Sequence, residues 1–295
     1  AGGQQRSDIQ VYGLTELEDR RAFLDDLYAF CDAQGVPLES AISEYAAGQF
    51  ELTLEHKADA LRACDEAIMY KRIVKEAARL HGVEATFMAK PFAHRAGNGM
   101  HLHMSLVDES GANAFAADDT EGSPLLRHAI GGMQALLADS FALFAPNANS
   151  YRRFRANSYA PVAPTWGVNN RTVSFRVPAG APKTRHVEHR VCGADANPYL
   201  AVAAVLAAMH HGIVNKLDPG PAIVGNGYEQ AGASKAAPMP ANWFAAVDRF
   251  AGSAVMKDYL GERFVEVFST VKRSEQDRYF AEVPQLDYDW YLRTA

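Results

Sequence analysis

The chain has 295 residues, 48% hydrophobic and 22% charged, which is the make-up of a globular protein with one large domain or two ordinary ones. Its net charge of −6 argues against nonspecific nucleic-acid binding, which needs basic surface, but local arginine clusters leave small anionic substrates open. No apolar run approaches the roughly 20 residues that span a bilayer, so no membrane partner is expected.

Residues 1–6 are polar and carry no hydrophobic stretch of the signal-peptide kind. Residues 16–34 read as a helix with Phe23, Leu27 and Phe30 on one stripe and Gly35 just past its end. Residues 40–54 read as strands around a turn at Ala47-Gly48. Residues 57–81 read as a strong helix with Cys64, Ile68, Ile73, Ala77 and Leu80 on its apolar face and Gly82 stopping it. Strands are predicted at 84–90 and 100–107, then a hairpin turn at Asp108-Glu-Ser-Gly111. Ser123-Pro124 is an N-cap and first-turn proline for a helix to about 142. Residues 145–165 are loop-like, and strand pattern returns at 171–177 and 186–191. Asn197-Pro198 opens an Ala-rich helix to about 216. Residues 218–240 form a Gly/Pro/Ala-rich connection, and the remainder is helical with an acidic, aromatic tail. Strands and helices alternate without a regular βαβ period. The expectation is an α+β fold: a largely antiparallel sheet with helices packed on its outside. Cys31, Cys64 and Cys192 lack zinc-ligand spacing and read as small buried hydrophobes of a reducing cytoplasm.

Four stretches carry chemistry. In Glu44-Tyr-Ala-Ala-Gly-Gln-Phe-Glu51 the two carboxylates are seven apart, so they cannot share a face of an unbroken strand; Gly48 permits a break that lets both point inward. Two solvated glutamates flanking a turn is the other reading. In Ala96-Gly-Asn-Gly-Met-His-Leu-His-Met-Ser105 the glycines let a loop run close to a ligand, and His101 and His103 alternate onto one strand face. They are either structural or functional; with several carboxylates nearby, a functional pair favours Mg²⁺ or Mn²⁺ over zinc. Arg152, Arg153, Arg171, Arg176, Arg185 and Arg190 have few acidic neighbours in sequence, which suits carboxylate or phosphate binding. In the run from Lys183 to Tyr199, Glu188 and Arg190 stand two apart and share a strand face, where one can hold a metal and the other an anion.

Taken in order, Glu44 to Glu51, Gly97 to Ser105, Asn149-Ser-Tyr-Arg-Arg153, Asn170-Arg-Thr-Val-Ser-Phe-Arg-Val-Pro178 and Lys183 to Tyr199 resemble the catalytic domain of the glutamine synthetase family. The resemblance implies that family's curved, largely antiparallel sheet, shared in kind with guanidino kinases, and it implies ATP and two Mg²⁺ or Mn²⁺ ions at each site. By the resemblance, Glu44 and Glu51 would bind one metal, and His101 and Glu188 the nucleotide-side metal. Gly97, Arg153 and Arg190 would hold glutamate. Arg171 and Arg176 would lie near the ATP phosphates, with His103, Ser105 and Lys183 also on the nucleotide side. Catalytic charge stabilisation would then fall to Arg153, Arg171, Arg176 and Arg190. A ring-shaped homo-oligomer such as a dodecamer is implied as well, in the cytoplasm.

This sequence departs from the family pattern in three ways. The family's Glu-x-Glu strand and its small N-terminal β-grasp domain precede this region and are not among the 295 residues. Residues 1–295 are therefore expected to be a catalytic domain truncated at its N-terminus, with weak metal binding and little activity alone. Where ammonia-using members carry a glutamate, this chain has Tyr159, which suits a larger amine. His186 stands where many members have an arginine. The stretches around Tyr159 and Glu188 look like the branch that joins glutamate to amines, such as the γ-glutamylputrescine synthetases. The implied activity is an ATP-dependent ligase that joins glutamate to putrescine or a similar amine through γ-glutamyl phosphate. The alternatives are a true glutamine synthetase, an inactive structural relative and a guanidino-phosphotransferase.

Overall fold

The computed structural model describes residues 9–295. Two short helices, α1 (Leu14–Glu18) and α2 (Arg21–Ala33), replace the single expected helix over 16–34; the chain breaks between them at Asp19 and Arg20. The α2 seam is Leu24, Leu27 and Cys31, with Phe23 and Phe30 packed at its sides. Strands β1 (Leu38–Ser43) and β2 (Phe50–Leu54) pair antiparallel, with Ile42 opposite Glu51. Gly48 turns the chain between them at φ +76°, a left-handed conformation that glycine adopts without steric cost.

Helix α3 (Ala60–Leu80) starts where Asp59 caps the Arg62 N–H. Its buried face is Cys64, Ile73, Val74, Ala77 and Ala78, whereas Ile68 and Leu80 point outward. The seam against α2 follows the 73/74/77 rows, which rotates those two residues to solvent. With α2 and the hairpin, α3 encloses a small apolar cluster.

The expected strand at 84–90 is absent from the described residues; that segment is irregular and packs Ala89 under Gly97. The expected strand over 100–107 narrows to β3 (Leu102–Met104). Helix α4 (Pro124–Phe144) begins at the Ser123 cap and runs two residues beyond its expected end. The stretch read as loop contains a 3₁₀ turn over Ser150–Arg153, and strand β4 (Trp166–Val168) follows it unannounced by pattern. Strands β5 (Phe175–Val177) and β6 (Val187–His189) are shorter than expected. Helix α5 (Pro198–Val214) starts from Asn197, whose side chain caps Tyr199 and Leu200. The chain ends in α6 (Trp243–Gly252), α7 (Ala254–Leu260), α8 (Glu262–Ala281) and α9 (Gln285–Tyr291).

The second sheet has the order β3-β6-β5-β4, antiparallel except for the β4–β5 pair. Its register sets up two alternating rows. Leu102, His189, Phe175 and Trp166 lie opposite one another in one row; His103, Glu188, Arg176 and Gly167 form the next. Successive side chains on a strand point to opposite faces, so one row faces the core and the other faces out. The core row packs with α4 and α5, where Phe141, Phe144, Val205 and Met209 lie buried. Each such side chain contributes about 1.5–3 kcal/mol through burial. The sheet is thereby fixed as a rigid back wall, and the polar row is the face left for chemistry.

The 218–240 connection is not loose. Trp166 donates from its indole to the Gly220 carbonyl at 3.0 Å, and Asn170 donates to the Ile223 and Gly225 carbonyls at 3.1 and 2.9 Å. Among the described residues, no helix is long and apolar enough to cross a membrane.

Candidate active site

The polar row converges on Glu188, which is 2% exposed. Arg176 Nη1 donates to its Oε2 at 2.8 Å, Arg190 donates to its Oε1, and His101 Nδ1 lies 3.1 Å from the same oxygen. Burial pushes the Glu188 carboxyl up, but the His101 hydrogen bond and the surrounding cationic groups outweigh it and hold the group well below the usual carboxylate range. Glu188 is therefore ionised. Burial carries the His101 imidazole down to about 4, so it is neutral near pH 7 and donates from Nδ1. Burial also lowers Arg190, with Arg176 and Arg171 pressing the same way against Glu188. Several cations thus share a pocket with one buried carboxylate.

Glu44 follows β1, and Glu51 lies on β2 beyond the Gly48 turn. The protein mass around Glu51 raises its carboxyl, and Glu44 and Glu188 add to the shift. The three carboxylates therefore crowd one region, as the break at Gly48 allows. Arg171 and Arg190 offset part of that crowding. Hard oxygen donors with one imidazole suit Mg²⁺ or Mn²⁺, and a divalent cation would relieve the part of the Glu51 shift that Glu44 and Glu188 add to burial. Among the described residues, no three His, Cys, Asp or Glu side chains close into a metal cluster by themselves.

Arg153, 4% exposed, uses its guanidinium on the chain that follows β6: Nη1 donates to Val191 O at 2.7 Å and Nη2 to Arg190 O at 3.1 Å. Burial lowers it to about 10, so it stays cationic. The glycine loop packs directly on it. A Cβ on Gly97 would sit 2.6 Å from the backbone oxygen of Ala89, which excludes a side chain there, and one on Gly99 would sit 2.6 Å from Arg153 Nη2, so a side chain there requires the guanidinium to shift.

On the nucleotide side proposed by sequence, His103 lies opposite Glu188 in the ladder. His186 Nδ1 is 2.7 Å from the Thr184 carbonyl oxygen, which can only accept. His186 Nδ1 therefore carries the proton. With both rings neutral, its Nε2, 2.9 Å from His103 Nδ1, accepts from that ring. Ser105 and Lys183 are exposed nearby in the chain, Ser105 just after β3 and Lys183 in the 3₁₀ turn Pro182–Thr184. Arg171 is exposed and donates to Tyr12 Oη at 3.0 Å.

The six arginines divide. Arg176 and Arg190 pair with Glu188, and Arg171 and Arg153 lie close enough to act on Glu51 and His101. Arg152 turns away to Tyr279, and Arg185 is buried on the core side of the ladder with Ala117 O as its partner at 3.5 Å. Sequence reading passed over Tyr12, Tyr45, His189 and Tyr228. Tyr12 and Tyr228 had no local signal, since each reaches the site from a distant segment. His189 was visible by parity alone: flanked by Glu188 and Arg190, it must face the core. There it is 1% exposed, against Phe144 and Phe175 at ring distances of 4.4 and 5.5 Å.

Residues 1–291 match the family model for the glutamine synthetase catalytic domain. The chain is 40% identical over 291 residues to gamma-glutamylputrescine synthetase PuuA of Escherichia coli (strain K12), covering 99% of this chain and 61% of that protein. It is also 40% identical over 240 residues to glutamate–isopropylamine ligase of a Pseudomonas species, covering 81% of this chain and 52% of the relative. Its fold matches a GmaS/ADP complex with a TM-score of 0.88 at 31% identity, over 99% of this chain and 68% of that one. The chain thus spans between about half and two thirds of the length of the proteins it resembles. On these grounds the chain belongs to the glutamine synthetase family, whose catalytic-domain fold it has.

Proposed function

We propose that this chain carries the catalytic part of an ATP-dependent ligase that joins glutamate to a small amine through γ-glutamyl phosphate. One observation carries the reading: an ionised, buried Glu188 is held by His101, Arg176 and Arg190 beside the crowded pair Glu44 and Glu51. Relatives named for γ-glutamylputrescine synthesis and glutamate–isopropylamine ligation support it.

In the first step a γ-carboxylate oxygen of glutamate attacks the γ-phosphorus of ATP; the bond to the bridging oxygen breaks and ADP leaves. In the second, the amine nitrogen attacks the acyl carbon, the carbon–oxygen bond to phosphate breaks, and the nitrogen gives up a proton. Carboxylate is a poor electrophile in water, so the phosphate serves to activate it. Two divalent cations, one on Glu44 and Glu51 and one on His101 and Glu188, would supply charge neutralisation between carboxylate and triphosphate. Arg171 and Arg176 stabilise charge on the phosphoryl oxygens, and Arg190 and Arg153 orient glutamate beside Gly97. His103 Nε2, with Ser105 and Lys183, lines the nucleotide side.

An alkylamine arrives protonated, with a pKa near the lysine value of about 10.4, so it must lose a proton before attack. Tyr159 stands where a carboxylate would trap ammonium, which favours a larger amine over the ammonia of a true glutamine synthetase. The presence of all four metal-side residues disfavours an inactive relative. A homo-oligomeric ring in the cytoplasm is part of the proposal; three free, buried cysteines fit a reducing setting.

The test is ADP release by the intact protein with ATP, Mg²⁺ and glutamate against ammonia, putrescine and isopropylamine. Glutamate- and amine-dependent ADP release is expected. ADP release with a guanidine but not with glutamate would overturn the reading in favour of a guanidino-phosphotransferase.

A further inference from the structure

Three amide side chains from separate segments close one hydrogen-bonded network beside the carboxylates. Gln49, two positions before Glu51, accepts at Oε1 from the Ala46 N–H at 3.1 Å, inside its own turn. Its Nε2 reaches out of the hairpin and donates to Gly97 O at 3.0 Å and to Asn98 Oδ1 at 2.7 Å. The neighbours settle which way this amide points, because a carbonyl only accepts and a backbone N–H only donates. On the other side of the turn Gln10, 8% exposed, donates from Nε2 to Gln49 O at 2.7 Å and accepts from the Gly48 N–H at 3.1 Å. Asn98 donates from Nδ2 to Met88 O at 2.8 Å, its N–H donates to Ala89 O at 2.8 Å, and its carbonyl accepts from the Ala194 N–H at 3.1 Å.

The turn does not need the Gln49 side chain to close. The Glu44 N–H donates to Gln49 O and the Gln49 N–H to Ala46 O, both at 2.9 Å, so the backbone bonds already shape it. What the amide adds is a tie to the glycine loop, 48 residues away in sequence. Arg95 Nη1 also reaches the Ala47 carbonyl, at 3.4 Å and in an exposed position, a longer and weaker contact. The loop end of the tie is firm: Gly97 packs against Ala89 O and the Arg153 stem, and Asn98 is bonded to the chain that follows β6. Glu44 and Glu51 at one end are thus held against Gly97 and Arg153 at the other. A neutral amide makes the tie without adding charge to the crowded carboxylates.

Resting on the ligase reading above, we propose that Gln49 is a positioning residue that couples the two halves of the site, so that a divalent cation on the Glu44–Glu51 turn and glutamate on the Gly97 loop strengthen one another's binding through it. A cation that draws the two carboxylates together fixes the turn, and the Gln49 amide passes that order to Gly97 and Asn98. Such coupling is reciprocal: glutamate tightens the cation by the same factor by which the cation tightens glutamate.

The experiment measures the Kd of Mn²⁺ from the paramagnetic resonance signal of the unbound ion, without glutamate and with saturating glutamate, for the intact protein and for Gln49→Leu, Asn98→Ala and the double variant. In the unaltered protein glutamate should lower the Mn²⁺ Kd about fivefold or more, the low end of coupling between sites. Gln49→Leu should bring that ratio close to one and change the Kd without glutamate much less. Asn98→Ala, which removes one of the two bonds, should reduce the ratio part of the way, and the double variant should go no further than Gln49→Leu, since both cut the same tie. A weaker Mn²⁺ Kd with the ratio intact is what a merely structural role produces, and it overturns the proposal; so does a ratio of one in the unaltered protein. If Gln49→Leu fails to fold, the ratio in Asn98→Ala decides. These outcomes leave the ligase reading standing so long as the unaltered protein releases ADP with glutamate and an amine. Absence of that release overturns the ligase reading, and this proposal with it.

Discussion

Arg176 and Glu188 stand directly opposite each other on β5 and β6, and the Arg176 guanidinium donates to the Glu188 carboxylate at 2.8 Å. The ladder register itself makes this ion pair, because parity puts both side chains on the sheet face that α4 and α5 do not cover. Glu188 also receives Arg190 and His101, so its negative charge is the hub of the pocket.

Glu188→Gln keeps the shape and removes the charge. Arg176 and Arg190 are then left partly buried without their counter-ion. We expect a loss of about 3–5 kcal/mol in unfolding free energy, the range for removing one partner of a buried pair. Urea denaturation monitored by tryptophan fluorescence measures it. A midpoint equal to that of the unaltered protein would mean that the hub does not hold the sheet together.

Stability should fall in mild acid. Burial lowers His101 to about 4 and His189 to about 3, from an ordinary value near 6.5. A lowered folded value means the unfolded chain takes up the protons first as pH falls. The stability is fully present above about pH 6.5 and declines as pH drops toward the folded values, by up to about 1.4 kcal/mol per pH unit for each group. Glu188, held low, adds its own loss at still lower pH. Urea midpoints taken between about pH 7 and about pH 5 test this slope. His189→Leu should flatten it, and should stabilise the protein near neutrality by about 1–3 kcal/mol, because both ring nitrogens of His189 are buried without a partner.

Gly99→Ala places a methyl carbon 2.6 Å from Arg153 Nη2, so the guanidinium must shift and its Nη2 bond to the Arg190 carbonyl is disturbed. A shift of about 1 Å at a substrate-positioning group costs roughly 100-fold in rate. The expected outcome is a fall of that order in kcat/KM for glutamate, measured by coupled ADP release. Unchanged kinetics would remove Arg153 from the glutamate side.

Tyr159→Glu returns a carboxylate to the acceptor position. Ammonia should then gain on putrescine by about tenfold or more in relative kcat/KM, as one added charge-assisted contact of about 1.5–3 kcal/mol permits. Competition between the two amines, read by mass of the γ-glutamyl product, decides it. A protein that already prefers ammonia before the substitution would sink the acceptor argument.

The residues themselves determined much of this protein. Caps and stops at Asp59, Ser123, Asn197 and Gly82 set the long helices, because capping is a local hydrogen-bonding matter. The pairing of Glu188 with Arg190 followed from strand parity, and the five ordered motifs carried the family. Only the tertiary structure decided the rest. The strands β3 to β6 are three residues each, too short for an alternating pattern to mark their ends or to reveal β4 at all. Which arginines face the site depended on register: Arg176 falls in the polar row, whereas Arg185, seven positions before Cys192 on the same run, falls on the core side. The hydrogen bond from Tyr228 Oη to the Ala160 carbonyl and the contact of Tyr12 with Arg171 join segments 68 and 159 residues apart. No local pattern encodes such contacts, since they are set by how packed elements carry distant loops together.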